Sequence, residues 1–365
     1  MRFIIFGLSI SSSWGNGHAT LWRSLLKAMS ARGHSAVFYE KDVPYYAATR
    51  DGWVSPKGIE LRLYSSLDEI REEALRKMAG ADVALSTSYC PDGGRVAEVI
   101  QESDAELKAF YDLDTPVTLR ALSEGEHVEY LPAEGLGSFD LVLSFTGGRA
   151  LEELRTRLGA RRVAPLYGSF DPETHRAVEP VDAFRGALSY LGTYAADRQA
   201  KLEELFVEPA KRMRSGRFLI AGAQYPDDFP WQENIAFLRH LEPAQHPAYL
   251  CSSRATLNVT RGSMAEYGYC PSGRLFEAAA CKVAILSDWW EGLDAFFAPG
   301  TEILRVNTAN DVIAALSLSD KELQHVGEAA CERAFACHTA THRVLEVESA
   351  CEAVLSNRNR ATLAA

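Results

Sequence analysis

The sequence lacks the features that mark membrane, nucleic-acid-binding and disulfide-rich proteins. No apolar run in its 365 residues approaches the ~18 residues of a membrane span. Acidic residues outnumber basic ones, 49 to 38, and the basic residues are scattered, which disfavours a nucleic-acid or anionic-membrane surface. The seven cysteines show no metal-ligand spacing, so we interpret them as reduced thiols. We therefore expect a cytoplasmic protein with no integral membrane segment and no nucleic-acid partner.

The apolar run near the N-terminus is too short to read as a signal peptide. It covers only Phe3 to Leu8, and a loop rich in glycine and serine follows it. An amphipathic segment over 19–32 comes next. A buried first strand followed by a helix is therefore the better interpretation.

Apolar runs of strand length alternate with amphipathic segments of helix length along the whole chain. This alternation predicts an α/β fold with mostly parallel sheets covered on both faces. A polar stretch with two prolines, 171–186, interrupts the pattern and is predicted to be a linker. The sequence thus predicts two doubly wound domains, 1–170 and 187–340, and a final helix over 341–365.

The first turn between a strand and a helix is rich in glycine. In a doubly wound sheet this turn lies at the carboxyl edge of the strand, where glycines let the backbone approach a ligand. Gly15, Asn16 and Gly17 form it without the third glycine of G-x-G-x-x-G, which disfavours a dinucleotide-dependent oxidoreductase. His18 follows, where it either acts on a substrate as a base or phosphate ligand or caps the helix.

Two aspartates stand near the end of the strand predicted over 107–114. Asp112 and Asp114, at a spacing of two, are expected to leave the strand on the same side. There they could orient or deprotonate an acceptor hydroxyl. Capping of the loop and metal binding are the alternatives, although the pattern is too short to specify a metal site.

The most specific pattern lies in the second half. After a strand, Ser272 and Gly273 open a helix whose first turn contains Arg274, a combination suited to binding a diphosphate. Glu277 lies one turn further along and could accept hydrogen bonds from two ribose hydroxyls. An exposed helix carboxylate is the alternative, but the apolar neighbours of Glu277 favour ligand binding.

These segments together resemble one known family over nearly the whole chain. They are similar to the CgeB-like group (spore maturation protein, glycosyl transferases group 1) of the GT-B glycosyltransferases. The segments that carry the resemblance are "GLSISSSWGNGHATLWRSLL", "YDLDTPVTL", "LSFTGG", "YLGTYAADRQ", "AGAQYP", "LNVTR" and "PSGRLFEAAAC".

The resemblance implies two Rossmann-like domains that face each other across a cleft. The acceptor is expected on the N-terminal half, at the glycine-rich loop, and a nucleotide-sugar donor mainly on the C-terminal half. The helix over 341–365 is expected to cross back to the first domain. The glutamate of "RLFEAAA" is the nucleotide-ribose ligand of the family, which gives that role to Glu277.

Further donor contacts follow from the same resemblance. They are expected at Gly192, Tyr194, Arg198, Gln224, Tyr225, Arg261, Ser272, Gly273 and Arg274. GT-B sites generally stabilise the departing diphosphate with a helix N-terminus and cationic side chains rather than a metal ion. The candidate cations are Arg198, Arg261 and Arg274, and neither a metal nor another cofactor is expected.

The sequence departs from the wider family at two positions. Tyr269 stands eight residues before Glu277, where the retaining pattern has a second carboxylate. The transferred sugar and the stereochemistry of transfer therefore stay open. Lys282 stands where many relatives have glycine, at the end of the helix.

The sequence therefore predicts a metal-independent, hexosyltransferase-like enzyme. His18, with Asp112 or Asp114, is the candidate for activating the acceptor hydroxyl. A UDP-, dTDP- or GDP-linked sugar is the expected donor, whereas the acceptor (small molecule, glycan or protein) and the oligomeric state stay open. The alternatives are a nucleotide-sugar epimerase on the same scaffold and a non-catalytic nucleotide- or sugar-binding protein of the spore-coat kind.

Overall fold

Two sheets of parallel strands organise the chain, one of seven strands and one of six. They lie in two compact units: unit 1 comprises Met1–Tyr167 and Ala340–Ala365, and unit 2 comprises Gly168–Thr339. The computed structural model describes the backbone of residues 1–364 and the side chains of residues 1–356. Ala365, the last residue of the predicted final helix, lies outside the described residues. The predicted α/β class with two doubly wound parallel sheets is confirmed.

Strands and helices alternate along the described chain. The strands are β1 (Arg2–Gly7), β2 (Ser35–Lys41), β3 (Ile59–Tyr64), β4 (Val83–Thr87), β5 (Leu107–Asp112), β6 (Leu141–Ser144), β7 (Val163–Pro165), β8 (Gly186–Leu191), β9 (Phe218–Ala221), β10 (Ile235–Leu238), β11 (Ser253–Asn258), β12 (Ala284–Ser287) and β13 (Leu304–Arg305). The helices are α1 (Gly17–Ala31), α2 (Pro44–Ala47), α3 (Leu67–Met78), α4 (Gly93–Glu102), α5 (Thr115–Ser123), α6 (Arg149–Leu158), α7 (Gln199–Leu202), α8 (Glu208–Arg212), α9 (His246–Cys251), α10 (Gly262–Tyr267), α11 (Gly273–Ala280), α12 (Leu293–Phe296), α13 (Ala309–Leu316), α14 (Asp320–Cys337) and α15 (Ala340–Ala364). Among the described helices, none combines the length and apolar character needed to cross a membrane.

The sheet of unit 1 has the strand order β3-β2-β1-β4-β5-β6-β7. The central strands β1 and β4 pair with Phe3 opposite Val83, and the order of the chain reverses between them. In open α/β sheets, ligands bind at such a reversal, beyond the carboxyl ends of the strands. The loops that follow β1, β4 and β5 therefore form the first candidate site.

The apolar run of β1 is continuous because helices cover both faces of this sheet. Ile4 and Phe6 pack into one core, which includes side chains of α3 and α4. Phe3 and Ile5 pack into the other core, with side chains of α1 and α15. Burial on both faces is the normal condition of a parallel sheet and explains the uninterrupted run.

The final helix, α15, packs on unit 1 beside α1. Glu348 on α15 accepts hydrogen bonds from Nε and Nη2 of Arg32, at 2.7 and 2.8 Å. His34 Nε2 lies 2.5 Å from the same carboxylate. The pairing of Glu348 with these two residues connects α15 to the turn between α1 and β2.

The sheet of unit 2 has the strand order β10-β9-β8-β11-β12-β13. Its order reverses between β8 and β11, which pair with Leu188 opposite Ala255. Helix α11 lies beside this sheet and buries Leu275 and Phe276 completely. The loops beyond β8, β9, β11 and β12, together with α11, therefore form the second candidate site.

Two elements of unit 1 differ from the sequence prediction. The strand predicted over 107–114 ends at Asp112, and α5 begins at Thr115, because Pro116 fits the first turn of a helix but cannot donate to a strand ladder. The edge strand β3 was not predicted. Its residues Ile59–Tyr64 alternate apolar with polar side chains over a short length, which is a weak signal.

Candidate functional site

Glu40 on β2 holds the loop after β1 in place. Its carboxylate is buried and accepts hydrogen bonds from the hydroxyls of Ser9 and Ser11, at 2.9 and 2.5 Å. It also accepts from the backbone N–H groups of Ile10 and Ser11, at 2.7 and 3.0 Å. A phosphate would need the same amides, which are already occupied. The loop is thus a rigid support for the residues that follow it.

Asn16 caps the N-terminus of α1. Its side-chain oxygen accepts from the backbone N–H groups of His18 and Ala19, at 3.1 and 3.3 Å. Gly15, with φ +59°, turns the chain before the cap, and Gly17 is the first residue of the helix. Because Asn16 is the cap, the side chain of His18 is left for another role.

The ring of His18 faces Asp114. Its Nε2 lies 3.4 Å from Oδ2 of Asp114, and each side chain is 19% exposed. The other ring nitrogen, Nδ1, is buried and has no hydrogen-bond partner among the described residues. In this orientation the carboxylate favours the tautomer with the proton on Nε2, which leaves Nδ1 basic.

Asp112 and Asp114 have different environments, although both follow the same strand. Asp112 ends β5 and is fully buried, and its Oδ1 accepts from the backbone N–H of Asp114 at 3.1 Å. Burial raises the pKa of Asp112 to about 6, while hydrogen bonding from Thr118 partly opposes the rise. Asp114 is partly exposed and belongs to the turn into α5. The two carboxylates therefore suit different roles, one facing His18 and one behind it.

Tyr89, in the loop after β4, completes the group around His18. Its backbone is left-handed, with φ +60°, a conformation that disfavours a bulky residue and is concentrated at functional sites. The ring lies 5.4 Å from the ring of His18. Burial, followed by the charge of Asp114, raises the pKa of Tyr89 well above its ordinary value. Tyr89 thus stays neutral and can donate a hydrogen bond.

Arg274 and Glu277 form the charged centre of unit 2. Ser272 caps α11 by accepting from the backbone N–H of Arg274 at 3.3 Å, so the helix begins at Gly273. The spacing of three places both charged side chains on one face, where Nη1 of Arg274 donates to Oε2 of Glu277. Burial alone would raise the pKa of Glu277, but the charge of Arg274 brings it below its ordinary value.

Two histidines lie against this pair. His246, the first residue of α9, has Nδ1 3.3 Å from Nη1 of Arg274, and its Nε2 lies 3.2 Å from the carbonyl oxygen of Leu241. Burial and then the charge of Arg274 lower the pKa of His246 to about 3, so its ring is neutral and Nδ1 accepts. His175 has Nε2 3.9 Å from Oε2 of Glu277, and both of its ring nitrogens are buried with no hydrogen-bond partner in the part of the chain that is described.

His175, His246 and Glu277 also have the side-chain types of a metal site. One ligand atom from each lies within 4.8 Å of the others. However, the guanidinium of Arg274 contacts both His246 and Glu277, so a positive charge is already present among these atoms. A second cation at this point would be repelled, and the group therefore fits an organic ligand better than a metal ion.

The predicted residues that follow β8 and β9 contact one another. The hydroxyl of Tyr225 donates to the carbonyl of Gly192 at 3.2 Å, and its ring lies 5.6 Å from that of Tyr194. Gln224 has φ +66°. A side chain at Gly222 would lie 2.0 Å from the carbonyl oxygen of Gly192, so only glycine allows the two loops to approach this closely.

The remaining predicted cations lie nearby, in the loops after β8 and β11. Arg198 donates to the carbonyl of Thr193 at 2.7 Å and has a buried Nε without a partner. Burial raises the pKa of Tyr190, and the positive charges of Arg198 and Arg274 partly oppose this rise. Arg261 Nε lies 3.4 Å from the carboxylate of Asp197. The structure thus gathers the predicted catalytic residues in unit 1 and the predicted donor residues in unit 2.

Sequence reasoning missed several residues of these groups. Lys201 on α7 donates to Asp288 Oδ2 at 2.5 Å, and Asp288 Oδ1 accepts from the backbone N–H of Thr260 at 3.0 Å. His175 fell within the segment predicted to be a linker. For Asp288, its place directly after a buried strand was a usable signal, whereas an isolated histidine such as His246 gave none.

Residues 198–349 match a family model described as "Glycosyl transferase-like". Sucrose-phosphate synthase from Thermosynechococcus elongatus is similar in structure, with a TM-score of 0.69 at 14% identity over 98% of this chain and 100% of its own. The chain has the GT-B fold. A search of curated proteins finds no match.

Two further GT-B structures superpose over nearly their whole length. The catalytic domain of starch synthase IV from Arabidopsis thaliana, bound to ADP and acarbose, has a TM-score of 0.66 at 11% identity, over 97% of this chain and 99% of that one. HepE from Anabaena, in complex with UDP and glucose, has a TM-score of 0.65 at 10% identity, over 96% of this chain and 99% of that one. The predicted GT-B fold is therefore confirmed.

The matched segment covers most of the predicted donor residues. It begins at Arg198 and includes Arg274 and Glu277 on α11. His18 and Asp114 lie outside it, in unit 1. The family match thus concerns the part of this GT-B chain that contains the charged centre of unit 2.

Proposed function

We propose that this protein is a glycosyltransferase that takes a hexose from a nucleotide sugar, with a uridine diphosphate sugar as the first candidate donor. The observation that carries the proposal is the contact of Arg274 with the buried Glu277 on α11, within the segment that matches the glycosyl transferase-like family. Two of the similar structures are described with UDP or ADP, and one of these also holds glucose. These printed ligands motivate the choice of donor.

The donor site would use the charges of unit 2 in two ways. Glu277 is ionised and would accept hydrogen bonds from the two ribose hydroxyls. Among the described residues, Nε of Arg198 and Nε of Arg274 have no hydrogen-bond partner, so each side chain has a donor left for a diphosphate. Negative charge develops on that diphosphate as the glycosidic bond breaks, and donors already in position stabilise it.

The acceptor site would use His18 as a general base. The acceptor hydroxyl loses its proton as its oxygen attacks the anomeric carbon, and the partly exposed His18–Asp114 pair would take that proton. Asp114 stabilises the imidazolium that forms, across the 3.4 Å to Nε2. Asp112 would act indirectly, because its buried carboxylate holds the backbone N–H of Asp114. The general-base role therefore falls to the His18–Asp114 pair.

We further propose that transfer is metal-independent and that the protein belongs to the CgeB-like group. Arg274 supplies positive charge at the one described cluster of histidine and carboxylate side chains that could otherwise hold a metal. The subgroup assignment rests on the segments quoted above, among them "PSGRLFEAAAC" around Glu277.

The proposal is tested by incubating the full chain with UDP-glucose, dTDP-glucose and GDP-mannose in turn. Release of a nucleoside diphosphate, unchanged by EDTA and abolished in Arg274→Gln, would support it. Glu328→Gln, at a partly exposed position on α14, serves as the control variant. Conversion of a donor into its epimer without release would favour an epimerase, and binding without either reaction would favour a non-catalytic protein. Failure to bind any of the three donors would contradict the proposal.

A further inference from the structure

The carboxyl-terminal ends of α9 and α11 meet at two cysteines. Cys251 is the last residue of α9, and Cys281 directly follows α11. The Cys251 thiol donates to the carbonyl oxygen of Cys281 at 3.3 Å, and the side chains of the two cysteines are close enough to interact. Two sulfur atoms from helices that are about thirty residues apart in sequence are therefore neighbours.

Both cysteines line the same open cavity of about 530 Å³. Cys251 is partly exposed, so a small polar oxidant can reach it, whereas Cys281 is almost fully buried. Three cationic side chains and one carboxylate also line the cavity, namely Arg185, Arg254, Lys282 and Asp320, so its lining is positive on balance although Asp320 pairs with Arg254 at 2.7 Å. A partly exposed thiol in positive surroundings, with a second thiol beside it, is the arrangement of an oxidation-sensitive cysteine pair.

The thiol form of Cys251 donates to a carbonyl oxygen, whereas its thiolate would be stabilised by two donors. Its sulfur accepts a hydrogen bond from the backbone N–H of Val178 at 3.4 Å. The thiol of Cys281 also donates to it, which holds the pKa of Cys251 below its ordinary value and raises that of Cys281. Cys251 is thus the thiol that attacks an oxidant, and Cys281 is the thiol that resolves the product.

We propose that Cys251 and Cys281 are a thiol oxidation site at which hydrogen peroxide forms a disulfide between α9 and α11. In the first step the Cys251 thiolate attacks one oxygen of the peroxide, the O–O bond breaks, and a sulfenic acid and hydroxide form; the hydroxide takes a proton to become water. In the second step the sulfur of Cys281 attacks the sulfenic sulfur, the S–O bond breaks, and a second water leaves. Two thiols are oxidised and one peroxide is reduced to two waters.

The disulfide would change the donor site, a consequence that rests on the proposed function. Helix α9 begins with His246, and α11 carries Arg274 and Glu277. To bond, the sulfur of Cys251 must leave the N–H of Val178 and approach the sulfur of Cys281, which displaces the end of α9. His246 is in the same short helix and holds Arg274 at 3.3 Å, so oxidation would weaken nucleotide binding.

The experiment treats the full chain with hydrogen peroxide and maps disulfides by mass spectrometry without reduction. We expect one Cys251–Cys281 disulfide in wild type and in Cys337→Ser, where the exposed cysteine is removed, and none in Cys251→Ser or Cys281→Ser. Cys251→Ser keeps the test decisive should Cys281→Ser, at a buried position, fail to fold. A different disulfide, or none, in wild type would overturn the proposal.

The same samples show whether the disulfide acts on the donor site. Calorimetry with UDP should give a Kd about tenfold higher for the oxidised than for the reduced wild type, because one hydrogen bond to a charged group is lost. Dithiothreitol should reverse this change. Equal affinities of the two forms would overturn the link to the donor site. If the reduced protein binds no nucleotide, the proposed function fails, yet the mapped disulfide would still decide the oxidation site.

Discussion

Nε2 of His18 lies 3.4 Å from Oδ2 of Asp114, across the loops that follow two different strands of unit 1. The two residues are 96 positions apart in sequence, and the sheet order brings them together because β1 and β5 flank β4. Asn16, rather than His18, caps α1, so the imidazole has no structural task at the helix end. An imidazole oriented by a carboxylate is the arrangement expected of a general base for a hydroxyl acceptor.

Replacing His18 should separate catalysis from donor binding. His18→Gln is expected to lower kcat by about 10²- to 10⁴-fold, the usual contribution of a general base, while the Kd for UDP is unchanged. Asp114→Asn should lower kcat less, because the base remains but loses its orienting carboxylate. Steady-state kinetics and calorimetry make the measurement, with His127→Gln, at an exposed position of unit 1, as the matched control. A normal kcat in His18→Gln would remove it from the catalytic role.

Asp112 should reduce the stability of the fold at neutral pH. Because burial raises its pKa from 3.8 to about 6, the folded protein binds its proton more tightly than the unfolded chain does. The contribution of Asp112 to stability is therefore greatest below pH 4. It falls between about pH 4 and 6 and stays lower above pH 6.

Asp112→Asn should remove this loss of stability. A shift from 3.8 to about 6 corresponds to at most about 3 kcal/mol, so the variant should be more stable than wild type at pH 7.5, with a smaller difference at pH 5. Urea unfolding at both pH values makes the comparison. A variant that is less stable than wild type at pH 7.5 would show that contacts of the ionised Asp112 carboxylate outweigh the effect of its burial.

Lys282 occupies a position that suits glycine. Its φ of +60° is left-handed, which costs a residue with a side chain about 1 kcal/mol or more. Lys282→Gly should raise the free energy of unfolding by about 0.5–1 kcal/mol, whereas Lys282→Ala, which keeps the strained backbone, should give no gain. Urea unfolding of the three proteins tests this. Equal stability of the glycine and alanine variants would argue against strain at this residue.

Glu40 should be the main support of the loop after β1. Glu40→Gln replaces one acceptor oxygen by an amide group that faces N–H or O–H donors, so about 1–3 kcal/mol of stability should be lost. Glu98→Gln on α4, at an exposed position, makes the same change of charge and should have almost no effect. The free energy of unfolding in urea is the readout. A Glu40→Gln protein as stable as wild type would show that other contacts fix the loop.

Periodicity in the sequence was enough to predict most of the fold. The buried strands β1, β4 and β8 are apolar on both faces, and α11 begins at the predicted cap, Ser272. Where the pattern was short or one-sided it failed, as at β3, which lies at the edge of its sheet. The strand predicted to reach Asp114 ends at Asp112, because α5 begins at Thr115 and has Pro116 in its first turn.

The candidate site was predictable only where its residues share a local pattern. Arg274 and Glu277 are one turn apart on a helix, so their contact could be predicted from their spacing alone. The histidine that orients Arg274 lies 28 residues away, and His175 lies about a hundred residues from Glu277. Such contacts depend on how the strands are ordered, which no local pattern specifies.

Calorimetric titration of UDP into wild type and Glu277→Gln tests most directly whether α11 binds the nucleotide. Gln keeps the size of the side chain but loses the charge that would bind the ribose hydroxyls, so the Kd should rise by about 10- to 100-fold. Glu328→Gln, on the surface of the same unit, should bind as wild type does. Urea unfolding confirms that each variant is folded. If folded Glu277→Gln binds UDP as tightly as wild type, α11 is not the nucleotide site, and the proposed binding of a nucleotide sugar at Glu277 is wrong.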